Sequence, residues 1–458
     1  MRGGKSFLVL LVLALGIGAY AYFVESKREP SDATAAAGTK ATKVLAVDAG
    51  KFEELEVKSA SGDVTRLKKT GSDWQIVAPS AMEADQQAVN TLVSSLESLE
   101  SSKTIDENPA SVKDFGLDPP RAVISVRQTG ETTMRKIDLG TKTPTGADLY
   151  ARVEGQSKVI LVGASADDTL NRSTFDLRDK TVLKFDRGKV DSLKLEPAGA
   201  PAVALAKKGT DWRLTAPVEA KADFNTVDSL VSKLADTKMK SLVAADAGTD
   251  LKKYGLDKPQ AVATVGAGST RATLALGGKA DDGSMYARDL SRPMVFSVDA
   301  ALLDDLKKKP EDVRPKDLFE FRTFSAEGVD IARGAETFSF AKQKPAASPA
   351  GAAPAPEVWK QTKPVAKDVD QSKLTELFTN ISNLRADKFA DKALTSGEEF
   401  VVTARYGDPA TPKEERVTFR KSGGVVHAIR QGEPGAAVVP TADFDKVVTG
   451  LKELAGGK

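Results

Sequence analysis

The three tryptophans of this 458-residue chain share one spacing, Trp-x4-Pro-x5-Asp: Trp74, Pro79 and Asp85; Trp212, Pro217 and Asp223; Trp359, Pro364 and Asp370. The apolar residues after each aspartate keep step as well, at Val89, Leu92 and Leu96, at Val227, Leu230 and Leu234, and at Leu374, Leu377 and Ile381. So rare a residue does not recur in register by chance. The chain is three copies of one unit, and its fold has to be one that can be repeated.

The repeat reaches well beyond tryptophan. Val44-Leu45-Ala46-Val47-Asp48-Ala49-Gly50-Lys51 returns as Val182-Leu183-Lys184-Phe185-Asp186-Arg187-Gly188-Lys189, at the same offset of 138 positions that separates Trp74 from Trp212. Phe115-Gly116-Leu117-Asp118-Pro119 matches Tyr254-Gly255-Leu256-Asp257-Lys258-Pro259, and Leu149-Tyr150-Ala151-Arg152 matches Met285-Tyr286-Ala287-Arg288. The third copy keeps the Trp-Pro-Asp signature but lacks the Gly-Leu-Asp-Pro element, as a divergent terminal repeat does. Leu177-Arg178-Asp179-Lys180 and Val313-Arg314-Pro315-Lys316 punctuate the joints. At about 140 residues each copy is large enough to bury a core of its own. The expected domains are residues 43–178, 179–316 and 317–458.

Within one copy, Leu55 and Val57, Val64 and Leu67, and Trp74 and Ile76 alternate with polar residues, and Ser61-Gly62-Asp63 and Thr70-Gly71-Ser72-Asp73 separate them. This predicts a three-stranded antiparallel meander. Pro79 ends the third strand, Asp85 caps a helix, and the apolar spacing lays one stripe of that helix on the sheet. Gly116 and Gly255 are placed to take the left-handed position that closes a short helix, with Leu117 and Leu256 packing back. Four more strands are expected around residues 123–126, 136–139, 149–153 and 159–162, and a second helix around 167–170. The class is α+β, three tandem repeats of mostly antiparallel sheet covered by helices, because no strand-helix-strand alternation appears.

Residues 7–24 form an uncharged, mostly apolar run, near the lower end of the ~17 to 25 residues that cross a bilayer as a helix. Arg2 and Lys5 precede it, whereas Glu25 and Glu29 offset Lys27 and Arg28, which favours a cytoplasmic N-terminus. Ala19-Tyr20-Ala21 offers the alternative of a cleaved signal peptide, but Tyr22-Phe23-Val24 carry the apolar run past that point. The expectation is a cytoplasmic stub and single-pass anchor over 1–29 in the inner membrane, a flexible tether over 30–42, and a periplasmic or extracytoplasmic bulk. Residues 345–356, rich in Ala and Pro, read as a disordered hairpin insertion in the third copy.

The chain has no cysteine, which removes disulfides, thiol catalysis and thiolate zinc sites. Its 66 basic and 64 acidic residues are interspersed, unlike the one-sided basic excess of a nucleic-acid footprint. His427, the sole histidine, falls in Val426-His427-Ala428-Ile429, at the aromatic position of the Tyr-Ala-Arg strand, and a structural role is expected of it. A Ser-His-Asp triad would have to use this one residue. The loop from Lys279 to Ser284 has neither calcium-loop nor phosphate-loop spacing and reads as a hairpin turn. Glu53-Glu54 and Glu398-Glu399 are adjacent pairs that would point to opposite faces of a strand, and so form no acid-base pair. The recurring Trp and Asp could suggest a carbohydrate site, yet their place beside a proline and an apolar helix stripe makes them core anchor and helix cap. No catalytic, cofactor-binding or metal-ligating residue is expected, and no cofactor.

On these motifs, the Trp-x4-Pro-x5-Asp helix start, the Tyr/Phe-Gly-Leu-Asp-x-Pro turn and the Tyr-Ala-Arg strand, the chain resembles the bacterial repeat family catalogued as domain of unknown function 4340. That resemblance implies a membrane-anchored, exported protein, and some members are associated with gliding-motility-type transporters of the ATP-binding cassette class. It supplies no catalytic residues. The expected function is a non-enzymatic, membrane-tethered accessory or scaffold protein that contacts a membrane complex such as the permease subunits of an ABC transporter. The alternative is a module that binds an envelope polymer, peptidoglycan or polysaccharide. Nucleic acid is not an expected partner.

Overall fold

The computed structural model describes residues 42–246, 248, 250–343, 357–408 and 410–456. The expected membrane anchor, the tether up to residue 41 and the Ala/Pro insertion lie outside the described residues; residue 42, the last of the expected tether, is already in a strand. Among the described residues no helix is long and apolar enough to cross a membrane. Two compact units divide the chain, Met1–Asp179 and Lys180–Lys458, the second containing the second and third copies.

Each copy folds around one antiparallel sheet, and the three sheets have the same strand order. In the first copy the nine strands, in chain order, are Phe52–Lys58, Val64–Thr70, Asp73–Ala78, Met82–Glu83, Glu100–Asp106, Ala122–Gln128, Arg135–Lys142, Asp148–Val153 and Val159–Gly163. Their order across the sheet is fifth, ninth, eighth, seventh, sixth, first, second, third, fourth. The second copy, from Val190–Pro197 to Val295–Val298, and the third, from Ala326–Arg333 to Ala436–Val439, repeat that order strand for strand. The first copy adds a short strand, Thr42–Lys43, beside its fifth. The fold is α+β and mostly antiparallel sheet, with a long aspartate-capped helix packed against each sheet.

The meander forms because its alternate residues can be buried on one side. Leu55, Val57, Leu67, Trp74 and Ile76 face the core. Val64 does not: it is 45% exposed, and Thr65 and Leu67 point inward instead, since residues two apart share a face. A cis Ala78-Pro79 bond ends the third strand, and cis Ala216-Pro217 and Lys363-Pro364 stand at the same point in the other copies. A two-residue fourth strand follows in each copy, which the residue pattern does not announce. The fifth strand of the first copy is also silent in the sequence. Glu100–Asp106 joins the sheet through backbone pairing with the ninth strand while most of its side chains stay exposed, so it shows no apolar alternation.

The helices Gln86–Glu97, Phe224–Asp236 and Gln371–Ser382 start where the aspartates predict. Asp85 accepts from the Ala88 N–H at 3.0 Å, Asp223 from Thr226 at 2.8 Å, and Asp370 from Ser372 and Lys373 at 2.9 and 3.1 Å. Each cap satisfies amides that a helix start leaves open, a contribution of about 1 kcal/mol. The stripes read from sequence are buried, and each gains one more residue at helical spacing: Val93, Val231 and Phe378. The helix that follows the ninth strand differs between copies. Ser165–Leu170 and Leu302–Leu306 are short, whereas Thr441–Ala455 spans 15 residues and sets Gly450 against Leu377 of the neighbouring helix.

Candidate functional site

The repeated residues are engaged in packing. Trp74, Trp212 and Trp359 are 2%, 3% and 8% exposed. Over each indole lies the ammonium of its cross-strand partner, Lys69 at 5.9 Å, Lys207 at 5.3 Å and Lys342 at 5.7 Å from the ring centre. Lysine five residues before tryptophan marks this contact in the first two copies, but the insertion hides it in the third.

The Gly-Leu-Asp-Pro turn and the Tyr-Ala-Arg strand form one device. Gly116 and Gly255, at φ 67° and 65°, close 3-10 turns, and Leu117 and Leu256 are buried behind them. The turn then rests on the seventh strand at Gly140 or Gly277, where an added Cβ would stand 2.1 Å from the Phe115 carbonyl oxygen or 2.2 Å from that of Tyr254. The ring preceding each glycine packs edge-on against the eighth-strand tyrosine: Phe115 on Tyr150 at 5.0 Å, Tyr254 on Tyr286 at 5.2 Å.

In the third copy His427 occupies that tyrosine position, and its Nδ1 accepts the Leu394 N–H at 3.2 Å. Burial pushes its pKa below the usual histidine value, favouring the neutral ring that can accept this bond. Of the adjacent glutamates, Glu398 pairs with Arg333 and Glu399 with Arg420. Glu53 and Glu54 depart from the expectation of opposite faces. A register shift between Phe52 and Glu54 brings both carboxylates to Arg127, at 3.1 and 2.7 Å, because a bulge breaks strand alternation. The pair serves an ion pair, and Arg127 holds Glu54 below the usual carboxylate range. Residues 279–284 form a tight turn in which Gly283 takes φ 84° and Asp282 accepts from the Ser284 N–H at 2.9 Å. Among the described residues no three His, Asp or Glu side chains gather within reach of one metal ion.

A concavity lies inside the second compact unit, between the second and third copies. It is a cleft of about 910 Å³. On the second-copy side stand Asp211, Lys221 and Phe224; on the third-copy side, Glu320, Glu414 and Arg430. Lys221 and Glu320 form an ion pair. The Glu415 carboxylate, also on the wall, accepts from the Glu320 and Phe321 N–H groups and from the Tyr406 hydroxyl at 2.9 Å. Burial and that carboxylate push the Tyr406 hydroxyl well above the usual phenol range.

A charge cluster joins two residues of the cleft wall, Arg430 and Glu433, to Arg314, which is not a wall residue. Glu433 stands 3.8 Å from Arg314 and 3.9 Å from Arg430, ion-pair range but too long for hydrogen bonds. The guanidinium side chains are only 10% and 17% exposed, and the Nε of each is buried without a hydrogen-bond partner. Burial pushes both pKa values down. Arg314 spreads its charge over the Phe389 ring, 3.9 Å from its centre. Sequence reasoning missed this cluster. Arg314 was visible as a joint residue, but nothing in the spacing brings it to Glu433 and Arg430.

A repeated nine-stranded sheet packed against a capped helix, with its motif residues in the packing, defines the architectural class. The family described as Domain of unknown function (DUF4340) matches residues 74–211 and again 212–400, and the chain belongs to it. Both matches begin on the tryptophan of a copy. The chain matches no curated protein and no solved structure.

Proposed function

We propose that the protein is a non-enzymatic, membrane-tethered extracytoplasmic component that acts by contact, as an accessory or scaffold of an envelope complex such as a gliding-motility-type ABC transporter. The observation that carries this reading is where the repeated residues go. Trp74, Trp212, Trp359, the capping aspartates, the Gly-Leu turns and the Tyr150, Tyr286 and His427 positions are each occupied by a packing contact or a backbone hydrogen bond. A chain that repeats packing devices presents surface, and surface works by binding. The uncharged run over 7–24 supports tethering in the inner membrane, where a fixed partner is met at raised local concentration.

The test is crosslinking in intact cells. Permease or other membrane-complex subunits should be recovered with the tethered chain, and recovery should fall when residues 1–29 are replaced by a cleavable signal. A cysteine added after Lys458 should react with an impermeant reagent before the inner membrane is lysed. Undiminished function of the released form, together with its retention on purified peptidoglycan or polysaccharide, would favour the polymer-binding alternative. Phe224, 55% exposed in the cleft, is the residue on which that alternative would build.

A further inference from the structure

The buried guanidiniums of Arg314 and Arg430 call for a second acceptor. Each has an Nε with no hydrogen-bond partner, and the two share the single Glu433 carboxylate at a distance that satisfies neither. Buried polar groups are ordinarily bonded, so two such exceptions around one carboxylate need a reason. Arg430 lines the cleft, whereas Arg314 is absent from its wall and lies on the Phe389 ring.

We propose that the cleft between the second and third copies binds a short zwitterionic peptide, whose carboxylate is received by Arg430 while Glu433 is left to Arg314. A guanidinium presents a planar fork of donors that a carboxylate matches with two parallel bonds. One incoming carboxylate therefore gives each arginine a partner of its own. The proposal is independent of whether the chain is tethered or which complex it serves.

The rest of the wall sets the ligand's other features. Seven acidic and six basic side chains line the cleft, a balance that disfavours a polyanion such as a nucleic acid or a multiply phosphorylated ligand. Asp211 and Glu414 are exposed on its rim and provide acceptors for a cationic end. Glu414 lies three residues along its strand from Val417, the cross-strand partner of Arg430. At about 3.3 Å per residue that separation is ~10 Å, the length of about three extended residues. Phe224 supplies an apolar contact, being 55% exposed where the sister helices start with Gln86 and Gln371. A volume of about 910 Å³ is ample for a ligand of this size.

The test uses the full chain in detergent and isothermal titration with the tripeptide Lys-Leu-Ala. The free acid should bind, its C-terminal amide at least tenfold more weakly, and Arg430→Gln should weaken the acid tenfold while abolishing the difference between acid and amide. Should Arg430→Gln fail to fold, Phe224→Gln serves in its place, since it installs the residue found in both sister copies. That variant should lose most of the preference for Lys-Leu-Ala over Lys-Gly-Ala. The proposal is overturned by absence of binding at millimolar peptide, by equal affinity for acid and amide, by an unchanged preference in Phe224→Gln, or by undiminished acid binding in a folded Arg430→Gln protein.

Discussion

The first residue of the long helix behaves differently in the second copy from its counterparts in the first and third. Gln86 and Gln371 each reach back and clamp a tryptophan backbone: the amide oxygen accepts the Trp N–H at 2.8 and 2.9 Å, and the amide nitrogen donates to the Trp carbonyl at the same distances. In the second copy Phe224 stands there with its side chain 55% exposed, and the backbone N–H of Ala222 donates to the Trp212 carbonyl at 3.0 Å. Two copies use the position to close the sheet edge. The second copy instead exposes a large apolar side chain into a cleft whose wall also carries Arg430, its Nε without a partner, which is where binding chemistry is to be sought.

A second departure teaches the opposite lesson. The connection between fifth and sixth strands runs over residues 107–121 and 245–260 in the first two copies but only 391–397 in the third. The longer connections carry the Gly-Leu turn, seat it on Gly140 or Gly277 and stack its ring on Tyr150 or Tyr286. The shorter one has no turn to seat. Arg420, cross-strand from His427, donates to the Leu394 carbonyl at 2.9 Å while His427 takes the Leu394 N–H. Shortening the loop changed the residues but kept the contact, so His427 reads as a structural substitute for tyrosine.

The largest effects expected are at the shared anchors. Trp74→Ala, Trp212→Ala and Trp359→Ala should each cost about 3–5 kcal/mol in denaturant melts, and Trp74→Ala should leave the melting of residues 180–458 in place. Next come Gly140→Ala and Gly277→Ala, whose added methyl meets a carbonyl oxygen. Each should cost about 1–3 kcal/mol and open residues 107–121 or 245–260 to proteases. Full stability in either variant would separate the turn from the strand it is said to rest on.

His427→Phe is a smaller perturbation, about 0.5–1.5 kcal/mol for one hydrogen bond, and it carries a pH signature. The folded pKa of His427 lies below the unfolded value of about 6.5. Its contribution is therefore complete above that value and is lost as pH falls through the folded pKa. Melting temperatures from pH 7.5 down to 5 should drop further in the parent than in His427→Phe, and parallel curves would remove the histidine from the account.

Legibility in the sequence followed burial. The meander, the capped helix and the Gly-Leu turn were readable because Leu55, Trp74, Asp85 and Gly116 each have a local requirement that spacing reveals. The fourth and fifth strands were not: Met82–Glu83 is two residues long and buries little, and Glu100–Asp106 is held by backbone bonds to the distant strand Val159–Gly163 while most of its side chains stay exposed. The bulge that brings Glu53 and Glu54 together belongs to pairing with Arg127 and Gln128, more than seventy residues on. The cleft was out of reach for the same reason. Phe224, Glu414 and Arg430 come from three stretches whose meeting depends on how the second and third copies pack within one unit.

The central claim is that residues agreeing between copies hold the fold while the exposed departure at Phe224 serves binding. Phe224→Gln tests it most directly when one preparation is measured for both thermal melting and Lys-Leu-Ala binding. The account predicts a melting temperature equal to or above the parent's, because the glutamine can take the clamp seen at Gln86 and Gln371, together with a several-fold weaker peptide affinity. A lowered melting temperature with unchanged affinity would contradict it, placing Phe224 among the packing residues and leaving the cleft without a role.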